Sequence, residues 1–444
     1  MRLVLATLLC ALQVSAAEAL SLQQAVERAA TQYPSIRVSN EQVAAAAAAI
    51  DLARTVYLPR ADVLAQFNRA THNNVFGLVL PQSVIPSISG PVLGTNTGAS
   101  VWGSAVGFLV SWEPFDFGLR RANIETAEAG QKRAEATVVR TKFEVAAMTA
   151  DAYLTALAAR ETARAARAQV DRARKVNTIV EALAKAELRP GADASRNRAE
   201  IAVAEGQLIQ AEQAVQIADA TLKQMLGADV TVTAIQSPAS DIEGTAVADN
   251  PYAREQKAVI DEAEARRRAL DRAYYPRFNV QASSYARGTG VNPDGSTGGT
   301  LAGIGPNIQN WALGMTVTFP VLELPSLRAR RTGEEHRKLA EEARYDQLLL
   351  ELNARIDKAR AALAGARRML TTTPAQLQAA RASERQATAR YGAGLGTLIE
   401  VADAQRVLTQ AEIDDSLARL NIWRAMLGLA AAQGDLQPFL ERVK

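Results

Sequence analysis

The chain has 444 residues, 48% of them hydrophobic but only 5% aromatic, and alanine supplies about a fifth of all positions. Fifty Lys and Arg stand against 47 Asp and Glu, a net charge of +3 that excludes a strongly basic nucleic-acid surface. Two histidines and one cysteine exclude the common His/Cys metal-site spacings. No Ser/His/Asp, Cys/His or paired-carboxylate constellation stands out, so no catalytic residue and no cofactor is expected. An alanine-rich chain with few aromatics favours long, closely packed helices over one thick core.

In chain order, Arg2, the apolar run from Leu3 to Val14 and the small residues Ser15 to Ala19 have the three regions of a secretory signal peptide. The segment 1–19 is read as that signal, with cleavage after Ala17 or Ala19. Cys10 leaves with it, and Leu8-Leu9 before it do not fit a lipoprotein signal. Beyond it no run of about 18 apolar residues appears. An exported chain of this kind is either soluble outside the inner membrane or crosses a membrane as strands.

The remainder is duplicated. Tyr33-Pro34 is followed 25 residues later by Pro59-Arg60, and Asn250-Pro251 is followed 25 residues later by Pro276-Arg277, an offset of 217. Trp112-Glu113-Pro114 before Gly118-Leu119-Arg120-Arg121 answers Thr318-Phe319-Pro320 before Ser326-Leu327-Arg328. Leu222 to Gly227 answers Leu429 to Gly434 at an offset of 207. Two repeats follow, at residues 20–227 and 250–434, joined by a linker at 228–249 and ending in a tail at 435–444.

Each repeat opens with a helical stretch, Leu22 to Val56 or Tyr252 to Tyr274, stopped by a proline that cannot continue it. Strand pairs are predicted at 60–113 and 277–320. In the first strands Val63, Ala65 and Phe67 alternate with Leu64, Gln66 and Asn68, and Phe278, Val280 and Ala282 with Asn279, Gln281 and Ser283. Loops rich in Gly, Pro, Asn and Ser, about Ala70 to Gly103 and Arg287 to Asn310, lead to the returning strands. Leu313, Met315, Val317 and Phe319 alternate with Gly314, Thr316 and Thr318. Strands of about ten residues, steeply tilted, cross a bilayer once.

Helical hairpins are predicted at 117–227 and 326–434. From Leu119 to about Glu187 there is one glycine and no proline, enough for a helix of about 100 Å. Val145, Met148, Ala152, Leu154 and Ala156 recur at the spacing of coiled-coil packing. Pro374 is expected to kink the second long helix. The turns fall at Arg189-Pro190-Gly191 and Tyr391-Gly392-Ala393-Gly394. The fold class is therefore mainly α with a small β part.

The duplicated order, together with the run from Tyr391 through Gly392, Gly394, Leu395, Gly396 and Glu400 to Asp403-Ala404, resembles the TolC-type outer-membrane efflux family over nearly the whole mature chain. The first-repeat counterpart, Leu188 to Asn197, departs from the usual form through Pro190. The resemblance implies that three protomers pool four strands each into one membrane β-barrel, continued by a hollow α-helical barrel across the periplasm. It implies a homotrimer in the outer membrane of a Gram-negative bacterium. The implied partners are outer-membrane lipid, a periplasmic adaptor (membrane fusion) protein and an inner-membrane transporter, with no nucleic acid.

By the same resemblance Glu400 and Asp403, three apart on one helix face, ring the narrow periplasmic end, with Asp193 as the first-repeat counterpart. Gly191, Gly392, Gly394, Leu395 and Gly396 form the tips that meet the adaptor. Leu313, Met315, Val317, Phe319, Phe278 and Val280 face lipid. The glycine run is not read as a phosphate loop, because no strand precedes it. Glu334-Glu335-His336 lacks a second histidine at helical spacing, and the arginine clusters 266–268 and 328–331 lie among acids that favour ion pairing. The reading is an exit duct of a tripartite efflux system. Its alternatives are a type I protein secretion duct of the same fold and a periplasmic coiled-coil scaffold that forms no pore.

Overall fold

A computed structural model describes residues 18–71, 98–186, 191–235, 246–319 and 321–443. The signal segment through Ala17, most of the first strand-pair loop, Arg189-Pro190, part of the linker and Pro320 lie outside the described residues. The order is β1 (Glu18–Leu20), α1 (Leu22–Gln32), α2 (Pro34–Thr55), β2 (Arg60–Thr71), β3 (Ser100–Phe115), α3 (Leu119–Lys185) and α4 (Gly191–Leu226). It continues with β4 (Val230–Val232), α5 (Pro251–Arg272), β5 (Arg277–Thr289), β6 (Ile308–Thr318), α6 (Leu324–Gly392), α7 (Leu398–Gln433) and α8 (Gln437–Leu440). No described helix is long and apolar enough to cross a membrane.

The single opening helix expected from Leu22 to Val56 is two. Pro34 forces Tyr33 into an extended conformation, φ −65° and ψ 132°, so α1 ends and Pro34 begins α2 as a first-turn residue. A capping box at Ser21 and Gln24 fixes the start of α1. The strands run further into the loops than expected, so the second loop spans only residues 290–307.

The chain folds into two compact units, each drawing on both halves of the sequence. In the unit comprising 43–133 and 258–342, β2, β3, β5 and β6 form an antiparallel sheet in the order β2-β3-β5-β6. The pairing is continuous except for a bulge between Trp112 and Phe115. A Cβ on Gly107 would lie 2.3 Å from that of Tyr285, its cross-strand partner, so only glycine fits there. The turn from β3 into α3 uses Phe117 at φ 53° and Gly118 at φ 89°. Asp116 closes that turn by accepting from the backbone N–H of Gly118 and Arg120 and from the Arg120 side chain.

In the same unit α5 and α6 are joined by charge. Arg267 contacts Glu264, Asp271 and Glu335, Arg331 contacts Asp271, and Lys338 contacts Glu264. Of the arginine clusters, Arg266, Arg267 and Arg331 are therefore ion-paired. The Arg267 hydrogen bond, reinforced by Lys338, holds the Glu264 carboxyl at about 2.

The other unit holds the main core, where Val145, Tyr153, Leu154, Leu222, Trp423, Met426 and Phe439 are fully or almost fully buried. Phe439 comes from α8 and meets Trp423 edge to face. Tyr153 is wholly buried, and its hydroxyl lies 2.9 Å from the Leu20 carbonyl and 2.7 Å from the Thr233 backbone N–H. It thereby ties the ends of β1 and β4, which pair in parallel.

The long helices follow a 4-3 spacing. On α4 the inward positions are Asn197, Ile201, Ala204, Leu208, Ala211, Val215, Ala218, Leu222 and Met225, all buried or half-buried. On α6 the seam runs Leu363, Ala366, Leu370, Thr373, Leu377 and Ala380, and the helix passes through Pro374 with its phase unchanged. Met148, part of the sequence pattern, is half exposed. Arg160–Asp219, Arg167–Glu212 and Arg174–Glu205 cross from α3 to α4 at 2.8, 2.6 and 2.7 Å, each pair seven residues from the next on both helices. Such a repeat fixes antiparallel register and imposes a left-handed supercoil.

Replacing Tyr153 by Phe leaves the Leu20 carbonyl and the Thr233 N–H without this partner and is expected to cost about 1–3 kcal/mol, read from denaturant unfolding. For Glu264 the folded carboxyl sits below its usual 4.5, so its stabilisation is complete above that pH and lost as pH falls through about 2. Glu264→Gln should lower the thermal midpoint at neutral pH, and the gap from wild type should close between about pH 4.5 and 2.

Candidate functional site: the helical tips and the strand sheet

At the ends of the two hairpins a separate apolar cluster forms from Val176, Val180, Tyr391, Leu398 and Val401. The α6–α7 turn is built backwards onto the end of α6: Gly394 N–H donates to the Tyr391 carbonyl and Leu395 N–H to the Arg390 carbonyl. Gly394 adopts φ 78°, which only glycine takes without strain. Gly396 is buried against Arg390 and the Glu400 carboxylate. Thr397 then caps α7 by accepting from the Glu400 N–H at 3.3 Å, which places Glu400 in the positive first turn of that helix. Gly191, Gly392 and Gly394 are exposed, and Leu395 is 73% exposed.

Glu400 and Asp403 share an exposed face of α7. Asp193 is half-buried in the first turn of α4, and its Oδ2 lies 3.3 Å from the Tyr391 hydroxyl. Sequence reasoning did not single out the residues that tie these acids down. Arg406 donates to both carboxylate oxygens of Glu200 at 2.7 and 2.8 Å and reaches Asp403 at 3.3 Å. The Glu200 carboxylate pushes the Arg406 pKa upward. Asn177 and Asn197 meet at 3.0 Å beside the apolar cluster. The tip is thus a short apolar plug with polar links from α7 and α6 to α4. The available signal was Arg406 at i+3 from Asp403; the Glu200 contact, 206 residues distant, leaves no local trace.

The sheet has two unlike faces. Cross-strand register places Phe278 opposite Val317, Val280 opposite Met315, and Ala282 opposite Leu313 on one face. That face continues through Val110 and Ala61, and through Phe108 and Val63. Leu313 and Met315 are 70% and 68% exposed. Phe319 follows the end of β6 and is about half exposed. The opposite face carries Gln66, Asn279, Gln281, Ser283, Asn310 and Thr316. The outer members of the sheet, β2 and β6, each pair on one side only among the described residues.

A duplicated helix-strand-strand-hairpin chain with this sheet defines a channel-type outer-membrane protein, and comparison agrees. The model for the outer membrane efflux protein family matches residues 25–228 and 244–435, and the chain belongs to that family. Its relatives are outer-membrane channels, not enzymes. The pyoverdine export outer membrane protein OpmQ of Pseudomonas putida is 28% identical over 293 residues, 64% of this chain. The chain spans only 60% of the length of that relative. OpmQ of Pseudomonas aeruginosa is 24% identical over 350 residues, 77% of this chain and 72% of that protein. Among solved structures, the Campylobacter jejuni CmeC outer membrane channel aligns with a TM-score of 0.76 at 15% identity, covering 93% of this chain and 85% of that one. The outer-membrane channel OprN aligns at 0.72 with 20% identity, covering 93% and 89%. Both show the shared fold.

The Arg406–Glu200 link is half-exposed and runs from one guanidinium nitrogen to both carboxylate oxygens, so a double-mutant cycle of Arg406→Gln and Glu200→Gln in unfolding experiments should return a coupling of about 0.5–1 kcal/mol. A coupling of zero would remove this link from the tip.

Proposed function

We propose that the chain is the exit duct of a tripartite efflux system, a homotrimer that passes solutes across the periplasm and outer membrane without chemistry of its own. The observation that carries this reading is the four-stranded sheet, apolar and exposed on one face, polar on the other, with two open edges. Unpaired strand edges are not tolerated in lipid, so the sheet must be closed by further copies. Three copies supply twelve strands, an even number within the range of bacterial outer-membrane barrels. The apolar face with Leu313, Met315, Val317, Phe319, Phe278 and Val280 then meets lipid, and the polar face meets water. In this reading residues 20–227 and 250–434 are two structural repeats of one wall.

The hairpin tips, with exposed Gly191, Gly392, Gly394 and Leu395 beside Gly396, dock a periplasmic adaptor, through which an inner-membrane transporter delivers cargo. Glu400, Asp403 and Asp193 line the constriction, with Tyr391 and Arg406 holding α6 and α7 to α4 in the narrow state. Both curated relatives are named for pyoverdine export, which favours a small-molecule cargo over a secreted protein.

Planar-bilayer recording tests this directly. Glu400→Ala with Asp403→Ala should raise single-channel conductance or reduce preference for cations. An unchanged channel removes those two residues from the constriction, whereas a purified protein that never conducts and partitions as soluble returns the reading to a periplasmic scaffold.

A further inference from the structure

The face that carries Gln66, Asn279, Gln281 and Ser283 also holds Leu64, Leu109 and Ile308, and its charges are unevenly matched. The four strands contain Arg60, Arg69, Arg277 and Arg287 against Asp62 and Glu113, and residues 72–97 contribute no acid at all. Three of these six charges, Arg60, Asp62 and Arg69, meet a side-chain partner. Arg60 is paired with Asp62 at 3.0 Å on the same strand face. Arg69 alternates onto the apolar side, donates to Ser100 at 3.0 Å and stacks 5.4 Å from the Trp102 ring. Glu113 sits inside the bulge between Trp112 and Phe115, where the register breaks. Asp294, in the β5–β6 loop, is already engaged by the Ser296 hydroxyl and N–H.

Arg277 and Arg287 are the cations that remain. Alternation along β5 puts both on the face of Asn279, Gln281, Ser283 and Tyr285, opposite Thr318 and Ile308 respectively. Neither forms an ion pair or a side-chain hydrogen bond with a described residue. Ten residues apart on one strand, they stand about 33 Å from each other, one toward each end of the sheet. Arg287 shares its cross-strand row with Ala105 and Gln66, and no carboxylate lies in that row.

From this placement we propose that Arg277 and Arg287 are selectivity residues for organic anions, solutes bearing carboxylates, at the strand-lined part of the pore. The inference rests on the pore reading above. In a trimer each position supplies three guanidinium groups, whose planar donor pairs match carboxylate geometry and whose charge is fixed at any physiological pH. A water-filled lumen with low-dielectric walls focuses that field onto passing solutes. The strand-lined segment thereby differs in sign from the acidic face of Glu400 and Asp403, and each end of the route attracts a different charge.

The test uses the purified full-length protein in planar bilayers, with benzenehexacarboxylate as the probe anion added to each side in turn. Wild type should be blocked at a lower probe concentration from one side than from the other. Replacing both residues by Gln should raise the half-blocking concentration on that side about tenfold, while Arg277→Lys with Arg287→Lys should leave it within about threefold of wild type. If the double Gln variant does not insert, Arg287→Gln alone should raise it about threefold. Equal block in wild type, Gln and Lys channels overturns the selectivity assignment and leaves the pore intact. A wild-type protein without conductance overturns the pore and this assignment with it.

Discussion

An antiparallel sheet of four strands with both edges open and one face apolar cannot exist alone in any solvent. Water penalises the exposed Val63, Phe108, Leu313 and Met315, and lipid penalises the unpaired N–H and C=O groups of β2 and β6. The bulge at Trp112 and Phe115, the left-handed turn at Phe117 and Gly118, and the Asp116–Arg120 pair connect the sheet to α3 in one fixed way.

The alanine excess has its physical explanation in the helical seams. On α4, Ala204, Ala211 and Ala218 alternate with the larger Ile201, Leu208, Val215 and Leu222, so the inward face alternates notches and knobs. Each alanine buries little surface and contributes little by itself. The energy of the seam is therefore spread along its length, with the flanking Arg160, Arg167 and Arg174 pairs choosing register more than adding stability.

The parts legible in the sequence are those with a strong local period. β2, β5 and β6 announced themselves by alternation, and α3 by its lack of proline. Gly227 and Gly434 marked helix ends through the left-handed conformation both adopt. What stayed hidden depends on partners far along the chain. β1 and β4 are three residues each and exist because they pair across 212 positions, with Tyr153 joining them. The helix break at Tyr33 was marked by Pro34, yet the apolar pattern on both sides masked it. α8 is too short for any period and is held by Trp423 against Phe439. At the tip the acids Glu400, Asp403 and Asp193 were visible as residue types, but the Tyr391 link to Asp193 and the Arg406 link to Asp403 were not.

The unbroken 4-3 spacing also limits how such a protein can change length. Each residue inserted in an α-helix turns everything beyond it by about 100°, so one added residue in α4 would swing Ala204 and its followers out of the seam. Seven residues nearly restore the phase, and only if the facing helix lengthens by seven as well do Arg167 and Glu212 keep their meeting. Seven residues added to both arms would change the length of the hairpin by about 10 Å.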